Sequence, residues 1–232
     1  MKNNAVAVIA AGGIGARMGT DIPKQYIKLC GKPVVVHTLL KFLPLGLERI
    51  LLLVPGETVK FAIDMLKEYS VSGVDVIKGG QTRNETILNA VSFLRQNGEL
   101  DESTILITHD SVRPFVSERC ILESIKTCRE KGACTAAVKA TDTVVRGNSE
   151  VLELFDRSEM LQVQTPQTFN AVRFESLYTS LDEKQKLLAT DCTRLFTIAG
   201  DTVYIVTGDK ENIKLTYKSD LAFAEGYLRL LQ

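Results

Sequence analysis

"AVAVIAAGGIGARMG", residues 5–19, is a short apolar run that breaks into glycines and then presents an arginine. The run has no polar face, so it reads as a strand buried on both sides, as in a parallel sheet covered by helices. Bare amides in the following turn, at Gly12, Gly13 and Gly15, can approach an anion closely. That turn leaves three readings open: a dinucleotide cofactor, a nucleoside triphosphate bound for transfer, or no ligand.

Further along, "RILLLVP" at 49–55 and "STILITHDSVRPF" at 103–115 repeat the buried-strand pattern. Helical stretches fall between them: "PVVVHTLLKFL" (33–43), "TVKFAIDMLKEY" (58–69) and "TRNETILNAVSFLRQ" (82–96). "GVDVIKGG" (73–80) is a short strand that ends in a second glycine turn, and "SERCILESIKTCREKG" (117–132) is a helix leading to the strand "ACTAAVKA". This alternation predicts an α/β three-layer sandwich with a mostly parallel, Rossmann-like sheet, whose ligands bind beyond the strands' carboxyl ends. From 141 to 165 the rhythm changes to β-prone pieces around "GNS", which predicts a protruding β-arm. An arm that buries little by itself predicts packing on a second copy, hence a homodimer. After it come one helix over 171–188, a strand "TVYIVTG" (202–208), an extended "NIKLT" (212–216) and a closing helix capped by Ser219 or Asp220. The whole, 1–232, reads as one domain with an arm.

Of the 232 residues, 45% are hydrophobic and 24% charged, enough for a substantial core. Basic and acidic residues both number 28, so no global field favours nucleic acid or an anionic membrane. Glycines interrupt "MKNNAVAVIAAGG" before a secretory signal is complete, and no apolar run approaches the about 18 residues of a membrane span. A cytoplasmic protein is expected. Cys30, Cys120, Cys128, Cys134 and Cys192 form no CxxC and are odd in number, which predicts incidental thiols and makes Cys192 a weak nucleophile candidate.

The glycines misfit the dinucleotide fingerprint, no acidic residue ends "LLLVPG", and no GK[ST] occurs. Arg17 and Lys24 tilt the reading towards transfer at an α-phosphorus, where cations must neutralise the leaving pyrophosphate. A solvated basic loop is the alternative. Asp110, beside His109 and Arg113, follows a buried strand, where carboxylates bind metals or substrate hydroxyls. His109 reads as a packed group rather than a base, because a phosphate nucleophile is already ionised. "GGQTRNET" offers Gly80, Arg83 and Thr86 to a nucleoside, although Arg83 can equally pack the helix amino end.

Six collinear motifs carry a resemblance over nearly the whole chain: "AAGGIGARMG…PKQY", "GGQTRNET", "HDSVRPFV", "QTPQTF", "ATDCTRLF" and "GDKENIKLT". They resemble the cytidylyltransferases that attach CMP to polyol phosphates, a family with the nucleotide-diphospho-sugar transferase fold. The resemblance implies that Arg17, Lys24 and Lys214 hold the triphosphate of CTP. Ala10, Ala11, Gly12, Gly13, Gly15, Gly80, Arg83 and Thr86 would surround the nucleotide. Asp110, Arg113 and Thr190 would face the acceptor, with Thr143 and Arg157 reaching across the dimer from the arm. Mg2+ would act mainly through the triphosphate oxygens, with neither Asp110 nor Asp191 taken as a metal ligand. Between the family's two branches, Ser111 and Cys192 point to ribitol 5-phosphate, with CDP-ribitol as product for teichoic acid or capsule synthesis. The alternative acceptor is 2-C-methyl-D-erythritol 4-phosphate, of isoprenoid synthesis.

Overall fold

The computed structural model describes residues 4–13, 18–19 and 22–231. Strand β1 (Ala5–Ala10) lies between β4 (Arg49–Val54) and β6 (Ile105–Asp110) and is parallel to both. Its side chains alternate between two cores, which is why the run has no polar face. Ala5, Ala7 and Ile9 join Ile50, Leu52, Ile105 and Ile107 on one side; Val6 and Val8 join Leu51, Leu53 and Leu106 on the other.

Helices cover both faces. The first core is closed by α1 (Val34–Leu39), α2 (Val59–Glu68) and α4 (Glu118–Lys131), through Leu39, Met65 and Ile121. The second is closed by α3 (Arg83–Gln96), α5 (Ala171–Ser180) and α7 (Cys192–Ile198), through Val91, Phe174 and Phe196. The seven-stranded sheet has the order β11-β7-β10-β6-β1-β4-β5, with β5 (Asp75–Lys78), β7 (Ala133–Lys139), β10 (Leu161–Asn170) and β11 (Tyr204–Thr207) completing it. Only β10 runs antiparallel to its neighbours β6 and β7. A small ribbon of β2 (Lys28–Leu29) and β3 (Lys32–Pro33) precedes α1. Among the described residues no helix is long and apolar enough to cross a membrane.

Four sequence expectations are corrected. "QTPQTF" belongs to β10, in the sheet interior, rather than closing the arm at 165. Four of its buried positions, Gln164, Thr165, Gln167 and Thr168, are polar, with Phe169 the core residue at its end, and Pro166 lacks an N–H, so the strand has no apolar run and its register shifts between Val163 and Gln167. The helix expected over 171–188 is broken into α5 and α6 (Glu183–Leu188), because Asp182 caps a fresh helix by accepting from the Gln185 N–H. Residues 212–216 form no strand; Leu215 instead donates its N–H to the Val112 carbonyl at 3.0 Å. The last helix, α8 (Lys218–Leu230), is capped from within, Asp220 accepting from the N–H groups of Thr216 and Tyr217.

The arm is a two-stranded hairpin, β8 (Val145–Gly147) and β9 (Val151–Leu154). It leaves Val145, Val151, Leu152 and Leu154 exposed.

Candidate active site

Carboxyl ends of β1 and β6 meet the amino end of α3 around a crevice of about 310 Å³. The glycine turns form its walls. Gly80 is fixed by sterics: a Cβ there would stand 2.4 Å from the Glu85 Cβ and 2.8 Å from the Thr86 nitrogen. Its N–H donates to the Thr86 hydroxyl at 3.0 Å, while Thr82 and Glu85 close a capping box on α3. The backbone is thereby drawn against the helix amino end, a natural seat for an anion or a polar base edge.

Lys24 and Gln25 line the crevice from a short 3-10 helix, Lys24–Tyr26. Gln25 donates to the Ala11 carbonyl at 2.8 Å and so ties this helix to the end of β1. Lys24 is buried and donates to the Leu215 carbonyl at 3.1 Å. Gly15 and Arg17 lie outside the described residues.

A second hollow of about 220 Å³ shares Arg83, Asp110 and Lys214 with the first and adds Arg113, Thr165 and Thr190. Asp110 stands in the shared wall with three cations around it. Arg83 pairs with Oδ1; Lys214 and Arg113 reach Oδ2 at 3.0 and 3.3 Å. Burial opposes ionisation of Asp110, but Arg83, Lys214 and Arg113 outweigh it and hold its carboxyl well below the usual carboxylate range. One carboxylate against three cations leaves the wall positive, as a site between two phosphate groups requires. Arg83 also holds Nε and Nη2 buried without an oxygen acceptor. Two donors of a fixed fork are thus unsatisfied by the protein's own oxygens.

Of the residues expected at a site, Ala10, Gly12, Gly13, Gly80 and Thr86 line the first crevice, together with Lys24, Arg83, Asp110 and Lys214. Ala11 is buried behind it, and Arg113 and Thr190 line the second hollow. Thr143 and Arg157 are exposed on the arm side and line neither, Arg157 donating instead to the Thr141 carbonyl. Sequence reasoning missed Gln25, Gln164 and Thr165. The quoted "PKQY" and "QTPQTF" contain all three, but buried polar side chains leave no periodic trace. Cys192 is buried beside Arg83, and burial pushes its thiol up to about 11, which makes it no nucleophile at neutral pH.

The family model described as "IspD: 2-C-methyl-D-erythritol 4-phosphate cytidylyltransferase" matches residues 5–230. Solved structures agree. The 4-diphosphocytidyl-2C-methyl-D-erythritol synthase of Anaerococcus prevotii DSM 20548 is 28% identical with a TM-score of 0.78, covering 97% of this chain and 96% of that one. The 2-C-methyl-D-erythritol 4-phosphate cytidylyltransferase of Francisella tularensis is 29% identical with a TM-score of 0.77, covering 96% and 99%. A further 4-diphosphocytidyl-2C-methyl-D-erythritol synthase is 26% identical with a TM-score of 0.81, covering 98% and 100%. These matches overturn the ribitol reading, and with it CDP-ribitol and the teichoic acid or capsule assignment. The physical reason lies in the two residues on which that reading rested. Ser111 lines the first crevice and Cys192 is buried, so neither lines the hollow beside Asp110 and Arg113.

Proposed function

The chain belongs to the 2-C-methyl-D-erythritol 4-phosphate cytidylyltransferase family and is a CTP-dependent nucleotidyltransferase, and we propose that its acceptor is 2-C-methyl-D-erythritol 4-phosphate. The match of residues 5–230 to that family carries the choice of acceptor, and the position of Asp110 and its three cations in the wall shared by two hollows supports transfer between two phosphate substrates. CTP occupies the first hollow, with its base at the Gly80 turn and its phosphates towards Lys24. The acceptor occupies the second, between Arg113, Thr165 and Thr190.

An acceptor phosphate oxygen attacks the α-phosphorus of CTP in line. A new P–O bond forms, the bond to the β-phosphate bridging oxygen breaks, and pyrophosphate departs with that electron pair. No general base is required, because the attacking phosphate is ionised at neutral pH. Lys24 and Lys214, which both line the first crevice, stabilise charge on the equatorial oxygens, with Arg17 assigned to the same triphosphate.

Asp110 is the carboxylate nearest this chemistry and is already saturated by Arg83, Arg113 and Lys214. No cluster of three or more metal-ligating side chains occurs among the described residues. That donor set fits a Mg2+ that enters on the triphosphate and is held mainly by its oxygens. When bound, the ion neutralises triphosphate charge. The exposed apolar arm supports a homodimer in which Thr143 and Arg157 of one protomer reach the acceptor of the other.

Mixing the protein with CTP, Mg2+ and 2-C-methyl-D-erythritol 4-phosphate and identifying the product by mass spectrometry tests the proposal. A cytidine diphosphate ester of the intact polyol is expected. Pyrophosphate release without that product would refute the acceptor assignment.

A further inference from the structure

His109 is wholly buried at the end of β6, against Phe42 at a ring distance of 5.2 Å, and lines neither hollow. Both its ring nitrogens are nevertheless engaged. Nε2 lies 3.0 Å from the Arg113 carbonyl, and Nδ1 lies 3.0 Å from the Thr165 hydroxyl. A carbonyl only accepts, so Nε2 carries the proton and Nδ1 accepts from Thr165. The Thr165 oxygen can then take the Asp110 N–H as well, at 3.1 Å. Burial pushes the imidazole down to about 4, which keeps this neutral form in place.

The bonds continue and close. The Thr165 carbonyl accepts from Asn212 Nδ2 at 2.7 Å, and the Asn212 carbonyl accepts from Arg113 Nη1 at 2.8 Å. Arg113 leads back to His109. Four residues from three separate stretches, the 109–113 turn, β10 and the 208–216 loop, thus form one hydrogen-bonded ring. Arg113 and Thr165 face the second hollow but not the first. Asp110 and Lys214 leave the ring's own segments, next to His109 and two positions after Asn212.

We infer that His109 is a positioning residue for the acceptor: it closes a ring with Thr165, Asn212 and Arg113 that sets the second hollow, because the ring members that reach a cavity, Arg113 and Thr165, line that hollow and not the nucleotide crevice. The division into acceptor and nucleotide sides rests on the proposed function. Within the ring, the bond from Nε2 to the Arg113 carbonyl pins the turn carrying Asp110 and Arg113. The bond at Nδ1 orients a hydroxyl on the opposite strand.

Two isosteres separate these bonds. Gln can place an amide N–H near Nε2, and Asn can place an oxygen near Nδ1. For His109→Gln, which keeps the bond to the Arg113 carbonyl but opens the ring at Thr165, the acceptor KM is expected to rise at least about threefold. For His109→Asn it is expected to rise tenfold or more, while the KM for CTP in both variants stays within about twofold. Both are measured with whichever polyol phosphate supports pyrophosphate release, so a wrong acceptor assignment leaves the comparison intact. Should His109→Asn not fold, Asn212→Ala opens the ring from its far corner and is expected to give the same acceptor-selective rise. Equal KM values for acceptor in His109→Asn and wild type would overturn the inference. So would a rise in CTP KM matching that for acceptor, the mark of general loosening.

Discussion

Lys24 donates its ammonium to the main-chain carbonyl of Leu215 at 3.1 Å, joining the short 3-10 helix Lys24–Tyr26 to the loop that carries Lys214. Leu215 in turn hangs from Val112, so both lysines are referenced to the turn that bears Asp110. Replacing Lys24 by Met keeps most of the side chain's bulk and removes its charge. Turnover is expected to fall about 10²- to 10³-fold, the cost of one preorganised charge-stabilising donor. Stability is expected to fall by about 1.5–3 kcal/mol, the range for a hydrogen bond to a charged group. Steady-state kinetics beside a denaturant melt distinguish the two effects.

Lys214 contributes to the acid stability of the fold through Asp110. The folded carboxyl titrates below its unfolded value, so its stabilisation is present above the unfolded pKa of about 3.9 and is lost as pH falls through the lower folded value. Lys214→Gln removes one of the three cations and moves the folded pKa up towards the unfolded one. Stability is expected to fall at neutral pH, the difference from wild type to shrink as pH drops through the folded value, and the acid-unfolding midpoint to shift to higher pH. Circular dichroism across an acid titration checks this, and an unchanged midpoint would count against the cation cage.

Gly80 has no room for a side chain, since a Cβ would press on Glu85 and on the Thr86 nitrogen. Gly80→Ala must push the turn away from the amino end of α3. A loss of about 1–3 kcal/mol is expected from the overpacking. CTP binding should weaken at least tenfold, measured by calorimetry, because the displaced amides belong to the nucleotide crevice.

Leu152 and Leu154 are 70% and 68% exposed on the hairpin. Changing both to Glu should leave the sheet's stability unchanged within about 0.5 kcal/mol, as for surface positions elsewhere. Sedimentation should show a shift from dimer to monomer. Acceptor KM should rise with it, because Thr143 and Arg157 would no longer reach a neighbouring site.

The parts legible in the sequence were those whose physics is periodic or steric. β1, β4 and β6 are buried on both faces, so they read as apolar runs, and their carboxyl ends located Gly12, Gly13 and Asp110 at once. "GGQTRNET" announced a tight turn and a capped helix. β10 was hidden for the opposite reason. Gln164, Thr165, Gln167 and Thr168 are buried in the sheet by hydrogen bonding: Gln167 holds Thr193 and the Cys192 N–H, and Thr168 holds Ser124. No hydropathy pattern marks such a strand. The branch assignment failed because it weighed Ser111 and Cys192 by residue type alone, and neither lines the second hollow.

The most direct measurement is the ratio of kcat/KM for 2-C-methyl-D-erythritol 4-phosphate to that for D-ribitol 5-phosphate, with CTP and Mg2+ at fixed concentrations and pyrophosphate as readout. A ratio well above ten is the expected result. A ratio below one, or no release with the methylerythritol phosphate, would contradict the proposed function.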